Sequence, residues 1–280
     1  MKKTLLWIFA FIITIVFAYY QRATGPTYPL KINYSQDGVK VEGHLLRSGY
    51  TTEDAKIEIS AEPKDLQATL YCKRFKTNDK FTPIAMEREG NKLFAFLPKQ
   101  PAAGKLEYYI QISHNGKVVK LPAEHTVIRF KGPIPLGILI AHVIFMFTAF
   151  FLSMRTGLEY FNKEPNVIPL LKWTLITLVI GGFILGPIVQ YYAFGAFWTG
   201  FPFGHDLTDN KTAIAIIGWL WAYYKIRKGA EPRKWALIGS VILILVYLIP
   251  HSVLGSELKY NDSDSTKTVS EKVITNNQGR

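Results

Sequence analysis

Three histidines and one carboxylate are the residues of this sequence whose types could do chemistry together. His142 interrupts the apolar run LGILIAHVIFMF, His205 and Asp206 lie in FGAFWTGFPFGHDLTDNK, and His251 lies near the end of the last apolar segment. Histidine nitrogens with a carboxylate can hold zinc, copper or iron, and two histidines on different helices can ligate a b-type haem. We therefore regard His142 and His251 as candidate haem ligands. His142, His205, Asp206 and His251 form the candidate metal set.

Local spacing does not fix this set, because the sequence has no His-x-x-x-His motif and no cysteine partner for a metal. Structural roles compete with the chemical ones. His142 can be a neutral histidine bonded across a helix bundle, Asp206 can pair with Lys211, and Asp209 or Thr208 can cap the helix that begins after TDNK. Both interpretations stay open. The other polar candidates at the same face are Gln190, Asp209, Asn210 and Glu257.

No residue is assigned a catalytic role, and whether the chain is an enzyme is left open. Ser252 and Ser256 lie beside His251 but in no nucleophile motif. His44, His114 and His125 lie on separate predicted strands without metal-ligand spacing, which favours solvent-facing positions. Cys72 is the only cysteine, so no intramolecular disulfide forms, and we expect this side chain to be buried in a strand.

Five apolar segments must position the histidines. Residues 5–20 follow Met1-Lys2-Lys3 without a small-x-small cleavage site, which is typical of an uncleaved signal anchor, residues 1–24. Four further segments approach the ~20 residues that span a bilayer. They cover about 134–152, 169–192, 212–224 and 235–254, and they predict a four-helix transmembrane domain at 133–255.

Positive residues predict the orientation of these segments. With five spans, the basic clusters fall on one side, and basic loops stay cytoplasmic. The clusters are Lys2 and Lys3; Arg155, Lys163 and Lys172; and Lys225, Arg227, Lys228, Arg233 and Lys234. We expect a bacterial inner-membrane protein in which residues 25–132, the loop 193–211 and the C-terminus are periplasmic. This topology brings the three histidines toward one membrane face.

Residues 25–132 change to an alternating pattern typical of strands. Short β-branched and aromatic runs are separated by turn signals such as Asp37-Gly38 and Asn115-Gly116. Seven or eight strands over ~100 residues match an all-β immunoglobulin or fibronectin-like sandwich, in which Tyr108 or Tyr109 would bond back across a strand corner. The predicted fold class is therefore an N-terminal anchor, this sandwich and an α-helical four-span bundle. The polar tail 256–280 is expected to be disordered.

The formal net charge of +12 does not indicate a nucleic-acid partner, because the basic residues form no continuous patch with interleaved stacking groups. IRFKGPIP, GGFILGPIVQYYAFGAFWTGFPFGHDLTDNKTAIAIIGW and IPHSVLGSELKY resemble segments of uncharacterised bacterial envelope proteins that carry an immunoglobulin-like domain ahead of four helices. The resemblance covers most of the chain from Tyr28 to Tyr260. It implies this architecture and no catalytic residue.

Two functions are expected from these features. In the first, the chain is a polytopic envelope protein in the lipid bilayer, whose outer domain docks a periplasmic or membrane protein partner or presents a ligand to a polar His/Asp site. In the alternative, it is a haem-binding or metal-handling redox protein that uses His142, His205 and His251.

Overall fold

A computed structural model describes residues 3–250, 255 and 257–260. The chain divides into a helical unit, Met1–Pro26 with Ile134–Ser256, and a sheet unit, Thr27–Pro133 with Glu257–Arg280. His251 and most of the predicted disordered tail lie outside the described residues. The short stretch 257–260 belongs to the sheet unit, although it follows the helices in sequence.

Ten strands build the described part of the sheet unit. One sheet has the order β1-β2-β4-β8-β7, and the other has the order β3-β10-β9-β5-β6. The strands are β1 (Leu30–Gln36), β2 (Val39–Leu45), β3 (Ser48–Tyr50), β4 (Ala55–Glu62), β5 (Gln67–Arg74), β6 (Thr82–Ala85), β7 (Glu87–Glu89), β8 (Lys92–Leu97), β9 (Lys105–His114) and β10 (Lys117–Lys131).

Alternation of apolar and polar side chains explains why these segments form sheets with one buried face. In β5, Leu70 and Cys72 are fully buried, and in β9 Leu106, Tyr108 and Ile110 are fully buried. Together with apolar residues of the other sheet they form one hydrophobic core. Burial of each large apolar side chain stabilises the unit by about 1.5–3 kcal/mol. The expectation that Cys72 is buried in a strand is confirmed.

Two hairpin turns formed as the sequence predicts. Asp37 and Gly38 have φ of 51° and 77° between β1 and β2, and Asn115 and Gly116 have φ of 49° and 76° between β9 and β10. Positive φ at both central residues is the property that makes Asp-Gly and Asn-Gly favourable in two-residue hairpins. The register of β1 with β2 follows from the first turn, and that of β9 with β10 follows from the second as far as Leu121, where a bulge shifts it.

The predicted immunoglobulin-like sandwich followed by a four-span bundle is wrong. Strand β3 pairs in parallel with β10, so one sheet is mixed, and the two sheets curl into a half-barrel. Both sheets of an immunoglobulin sandwich are antiparallel. The hydroxyl of Tyr108 donates a hydrogen bond to the carbonyl of Leu46 at 2.7 Å, 62 positions away, whereas a tyrosine corner closes on backbone only a few residues upstream.

The helical unit contains five helical rods in its described part. The third rod is continuous from α3 through a π-helical segment into α4. The helices are α1 (Lys3–Thr24), α2 (Leu136–Gly157) with the 3₁₀ helix that continues it (Leu158–Phe161), α3 (Val167–Leu178), the π-helical segment (Val179–Leu185), α4 (Gly186–Phe194), α5 (Leu207–Arg227) and α6 (Pro232–Leu248).

Among the described residues, three rods are long and apolar enough to cross a membrane: Lys3–Thr24, Leu136–Phe161 and Val167–Phe194. This composition is consistent with membrane association. The predicted spans 212–224 and 235–254 begin in α5 and α6, which are not among these three rods, and residues 251–254 lie outside the described part of the chain. Helix α5 carries charged residues near both ends, and α6 has 17 residues, which is shorter than each of the three rods and at the lower limit of about 17 for a span.

Glycines let the helices approach closely at the π-helical segment. A Cβ on Gly181 would lie 3.1 Å from the backbone nitrogen of Met146 in α2, and a Cβ on Gly182 would lie 2.6 Å from Thr212 in α5. Small residues at such contacts allow backbones to pack against one another. The small-residue face that the sequence shows at this point is therefore a packing surface.

Candidate functional site

Asp209 is the centre of the polar network in the loop between α4 and α5. Its Oδ2 atom accepts hydrogen bonds from the backbone amides of Thr199 at 2.6 Å and Gly200 at 2.9 Å, and from Nε2 of Gln190 at 3.1 Å. Burial raises the pKa of Asp209, and the hydrogen bonds from Thr199, Gln190 and Gly200 offset only part of that rise. One carboxylate thus braces the loop against two helices of the helical unit.

Asp206 and Asn210 complete this brace. The Asp206 side chain caps α5 by accepting a hydrogen bond from the amide of Thr208 at 2.8 Å, and Asn210 Oδ1 accepts from the amide of Phe201 at 2.7 Å. The helix therefore begins after Asp206, and the predicted caps Thr208 and Asp209 both lie inside α5. A helix N-cap of this kind is worth about 1 kcal/mol.

The predicted partner of Asp206, Lys211, lies in buried surroundings. Its Nζ donates a hydrogen bond to the carbonyl of Ile249 at 3.0 Å and lies 5.6 Å from the centre of the Tyr247 ring. Burial lowers the pKa of Lys211 to about 8, although the Asp206 charge acts in the opposite direction. The ion pair between Asp206 and Lys211 stays a prediction.

The candidate metal and haem ligands occupy different surroundings. His142 is partly buried in α2, with Nδ1 3.0 Å from the carbonyl oxygen of Gly181, whereas His205 is exposed in the loop. Asp206 is buried as the α5 cap, and His251 lies outside the described residues. No group of three His, Cys, Asp or Glu residues that could hold a metal ion occurs within the described ranges. The metal and haem hypotheses stay predictions.

Glu257 belongs to the sheet unit and not to the polar network of the loop between α4 and α5. Its carboxylate contacts Nζ of Lys76 at 3.0 Å and Nζ of Lys105 at 2.6 Å. Burial by itself raises the pKa of Glu257, but the hydrogen bonds from Lys105 and Lys76 outweigh it and hold the pKa below its ordinary value. Sequence position alone had placed this residue beside the histidines.

A cleft between the two hairpin turns is a second candidate site, in the sheet unit. Its volume is about 200 Å³, and its lining combines an apolar floor with a polar rim. The floor is Val39, Ile112 and Val119, and the rim is Tyr34, Gln36, Asp37, His114, Asn115 and Lys117. Each hairpin comes from a different sheet, and the ion pair between Lys117 and Asp37, 2.8 Å long, joins them.

His114 has defined partners at the cleft. Its Nδ1 lies 3.4 Å from a carboxylate oxygen of Asp65, and its Nε2 lies 2.9 Å from the amide nitrogen of Asn115. With the carboxylate accepting from Nδ1–H, Nε2 is left to accept from the Asn115 amide. The hydrogen bond from Lys117 lowers the pKa of Asp37, so the ion pair at the rim is charged at neutral pH. The prediction that His114 faces solvent is therefore wrong, because its side chain is only 16% exposed.

An aromatic stack stands on the mixed sheet. Tyr71 and Tyr109 pair directly across β5 and β9, and their rings stack 5.0 Å apart. His125 stacks on the other face of this pair, 5.3 Å from Tyr109, because a bulge in β10 inserts the residues before Thr126. Glu107 lies 3.2 Å from the His125 Nδ1 atom. The stack covers the sheet and fixes His125, which is exposed as predicted.

Thiol chemistry is not supported by the position of the cysteine. Cys72 is fully buried, and burial raises the pKa of its thiol to about 12, so the reactive thiolate is scarce at neutral pH.

No protein-family model matches this chain, and no curated protein matches it either. Solved structures similar to it include a β-1,2-glucanase from Parabacteroides distasonis, with 11% identity and a TM-score of 0.22. That match covers 78% of this chain and 33% of the glucanase chain, so this chain spans about a third of that structure's length. A likeness at this level carries no argument about fold or activity. The resemblance to bacterial envelope proteins stays a prediction.

Proposed function

We propose that this chain is a membrane protein whose sheet unit binds a small polar ligand in the cleft between the two hairpin turns. The composition of the cleft is the observation that supports this proposal. Its lining combines apolar side chains with hydrogen-bonding side chains from two different sheets. Ligand sites characteristically combine an apolar lining with a few placed polar groups. Binding, with no chemical transformation, is the function that this lining supports best.

The size and charge of the cleft define the class of ligand. About 200 Å³ corresponds to roughly six or seven water molecules at ~30 Å³ each. The rim offers the carboxylate of Asp37, the ammonium of Lys117 and the hydroxyl of Tyr34. A small molecule with one apolar face and several hydrogen-bonding groups, such as an amino acid or a monosaccharide, complements this lining.

The helical unit serves as the membrane anchor in this proposal. Basic and aromatic residues share one end of it: Arg155 lies over the Trp7 ring at 4.9 Å, and Arg233 donates a hydrogen bond to the carbonyl of Lys163 at 3.1 Å. Tryptophan and basic residues are enriched where helices leave a bilayer, and basic loops stay cytoplasmic. Other residues of this basic end are Lys172, Trp173, Trp221, Lys225 and Trp235.

Orientation follows from this basic end. Helix α1 begins at this end, and α2 ends at it. Residues 27–133, which link the two helices, therefore connect to the opposite end of each helix. We propose that the basic end faces the cytoplasm and that residues 27–133 are periplasmic in a bacterial inner membrane. The cleft would then be open to the outer compartment.

A thermal-stability screen of the full chain in mild detergent tests the binding proposal. The probes are a panel of amino acids and a panel of monosaccharides. A ligand at roughly 100 times its Kd stabilises the folded protein by about 2.7 kcal/mol, which raises the midpoint of unfolding. We expect one class to raise the midpoint, and Lys117→Ala and Tyr34→Ala to abolish the effect.

Lys92→Ala is the matched control for this screen. Lys92 also forms a surface ion pair in the sheet unit, with Glu58 at 2.6 Å, but it does not line the cleft. The control should keep the full ligand effect. An equal effect in all three variants, or no effect of either panel on the wild type, would overturn the proposal.

A further inference from the structure

The stretch 257–260 is bound to the sheet unit by contacts along its whole length. The hydroxyl of Tyr260 accepts a hydrogen bond from the amide of Lys105 at 3.0 Å and lies 3.1 Å from Oε1 of Gln100 and 3.2 Å from the carbonyl of Lys105. The guanidinium of Arg74 lies 5.2 Å from the centre of the Tyr260 ring. The tyrosine thus has both its ring and its hydroxyl recognised.

Glu257 and Leu258 supply the other contacts. Two ammonium groups, those of Lys76 and Lys105, hold the Glu257 carboxylate at 3.0 and 2.6 Å. The amide of Leu258 donates a hydrogen bond to the carbonyl of Ala103 at 3.0 Å. Main-chain bonding with side-chain recognition on either side is how proteins bind extended peptides.

The receiving surface is held in place by its own contacts within the sheet unit. Gln100 is 6% exposed and Arg74 is 3% exposed, and Arg74 bonds both carboxylate oxygens of Asp79, at 2.7 and 3.2 Å. Ala103 has a φ of 63°, and its amide donates to the carbonyl of Phe130 at 3.0 Å. A preorganised surface of this kind loses little conformational entropy when a peptide binds.

Gly104 leaves the space that the Tyr260 hydroxyl occupies. A Cβ at this position would lie 2.9 Å from the Tyr260 hydroxyl and 2.8 Å from Cβ of Gln100. A side chain there would therefore push the tyrosine out of its place. The pocket for the hydroxyl depends on a residue without a side chain.

We propose that Arg74, Lys76, Gln100, Ala103 and Lys105 form a peptide-recognition site for a segment with a glutamate three positions before a tyrosine. Its resident occupant is the chain's own stretch 257–260. Because the occupant is tethered, its effective concentration at the site is set by the chain that links it to the sheet unit. A free peptide of the same sequence must compete with that concentration in the wild type.

The test uses a fluorescently labelled synthetic peptide, GSELKYN, and the full chain in mild detergent. The variant Glu257→Ala/Tyr260→Ala removes the anchors of the resident segment and leaves the receiving surface unchanged. We expect this variant to raise the anisotropy of the peptide at a concentration at least tenfold lower than the wild type does. A peptide with alanine in place of the tyrosine should not bind.

Two further variants complete the experiment. Lys259→Ala changes an exposed side chain and should behave as the wild type does. Tyr260→Phe keeps the ring and loses the hydroxyl bonds, so it should give intermediate binding even if the double variant fails to fold. Three outcomes would overturn the proposal: binding to the double variant and to Tyr260→Phe that equals binding to the wild type, binding of the tyrosine-free peptide, or no binding to either Tyr260 variant at millimolar peptide. The cleft screen with Lys117→Ala is unaffected by any of these outcomes.

Discussion

The carboxylate of Asp209 bonds the backbone amide of Gly200 at 2.9 Å from nine positions further along the chain. Gly200 can be only a glycine here, because a Cβ would lie 2.6 Å from Cβ of Asp209 and 2.8 Å from Oδ1 of Asn210. The loop between α4 and α5, called the aromatic loop below, is therefore held in place by side chains from the first turn of α5. Phe201 and Phe203 are 77% and 83% exposed on this braced loop.

Asp209→Ala should loosen the loop without unfolding the helical unit. The change leaves the amides of Thr199 and Gly200 without their acceptor, which costs about 2 kcal/mol of local stability, on the order of 30-fold faster exchange. Hydrogen exchange of these two amides measures the effect. Asp209→Asn keeps one carbonyl acceptor and should give a smaller change. Unchanged exchange in the alanine variant would contradict the bracing role.

Gly182→Ala should destabilise the helical unit by about 1–3 kcal/mol, because the new methyl group would overpack against Thr212. Gly137→Ala is the matched control, since Gly137 lies in α2 with open space at its Cβ position. In the control we expect a stability gain of roughly 0.5–1 kcal/mol from helix propensity. Thermal unfolding in one detergent compares the two variants, and equal shifts would refute close packing at Gly182.

Asp79→Asn should destabilise the sheet unit by about 3 kcal/mol, because it replaces the carboxylate that pairs with the buried guanidinium of Arg74 by a neutral amide. Arg74 lowers the pKa of Asp79 from its ordinary value of 3.8. A lowered folded-state pKa contributes stability that is present above 3.8 and is lost as the pH falls through the folded value. The difference between wild type and variant should therefore be full at neutral pH and shrink in acid.

Hydrogen exchange of β5 amides at neutral pH and below pH 3.8 measures this pH dependence for Asp79. Asp37→Asn removes the exposed carboxylate of another ion pair and should change exchange little. A pH-independent difference for Asp79→Asn would show that the effect is steric and not ionic.

His142→Ala should destabilise the helical unit by about 1–3 kcal/mol, because the carbonyl of Gly181 loses a hydrogen-bond donor in a buried setting. A purely structural role of His142, as the hydrogen-bond donor to Gly181, predicts that wild type and variant have the same absorption spectrum and the same metal content. Thermal unfolding, absorption spectra in both redox states and metal analysis check the two statements. A Soret band or stoichiometric metal that the variant loses would favour the haem or metal hypothesis.

Local signals in the sequence predicted local structure well. Asp37-Gly38 and Asn115-Gly116 specify their own turns, because both central residues adopt positive φ without help from the rest of the chain. Strand β3 was not predicted, because three residues carry no alternation and their parallel pairing with β10 joins segments about 80 positions apart. The immunoglobulin interpretation failed at this non-local step.

The polar candidates show the same division between local and non-local information. Gln190, Asp206, Asp209 and Asn210 were predicted at one face, and the structure brings them together around the aromatic loop. Asp206, Asp209 and Asn210 accept hydrogen bonds from backbone amides, and Gln190 donates to the side chains of Thr199 and Asp209. These hydrogen bonds explain the residue types without a ligand. Glu257 was misplaced, because nothing in its neighbouring sequence indicates that Lys76 and Lys105 lie within reach.

The sheet unit comes from two separate stretches of the chain, and the ribosome synthesises residues 134–256 after the first stretch and before the second. At the ~5–20 residues per second of bacterial and eukaryotic translation, the strands wait on the order of ten seconds for Tyr260 to leave the ribosome. During that interval Gln100 and Lys105 lack the tyrosine that contacts them in the finished protein. Docking of Tyr260 thus marks, in the nascent chain, that all of the helices α1 to α6 have already been synthesised.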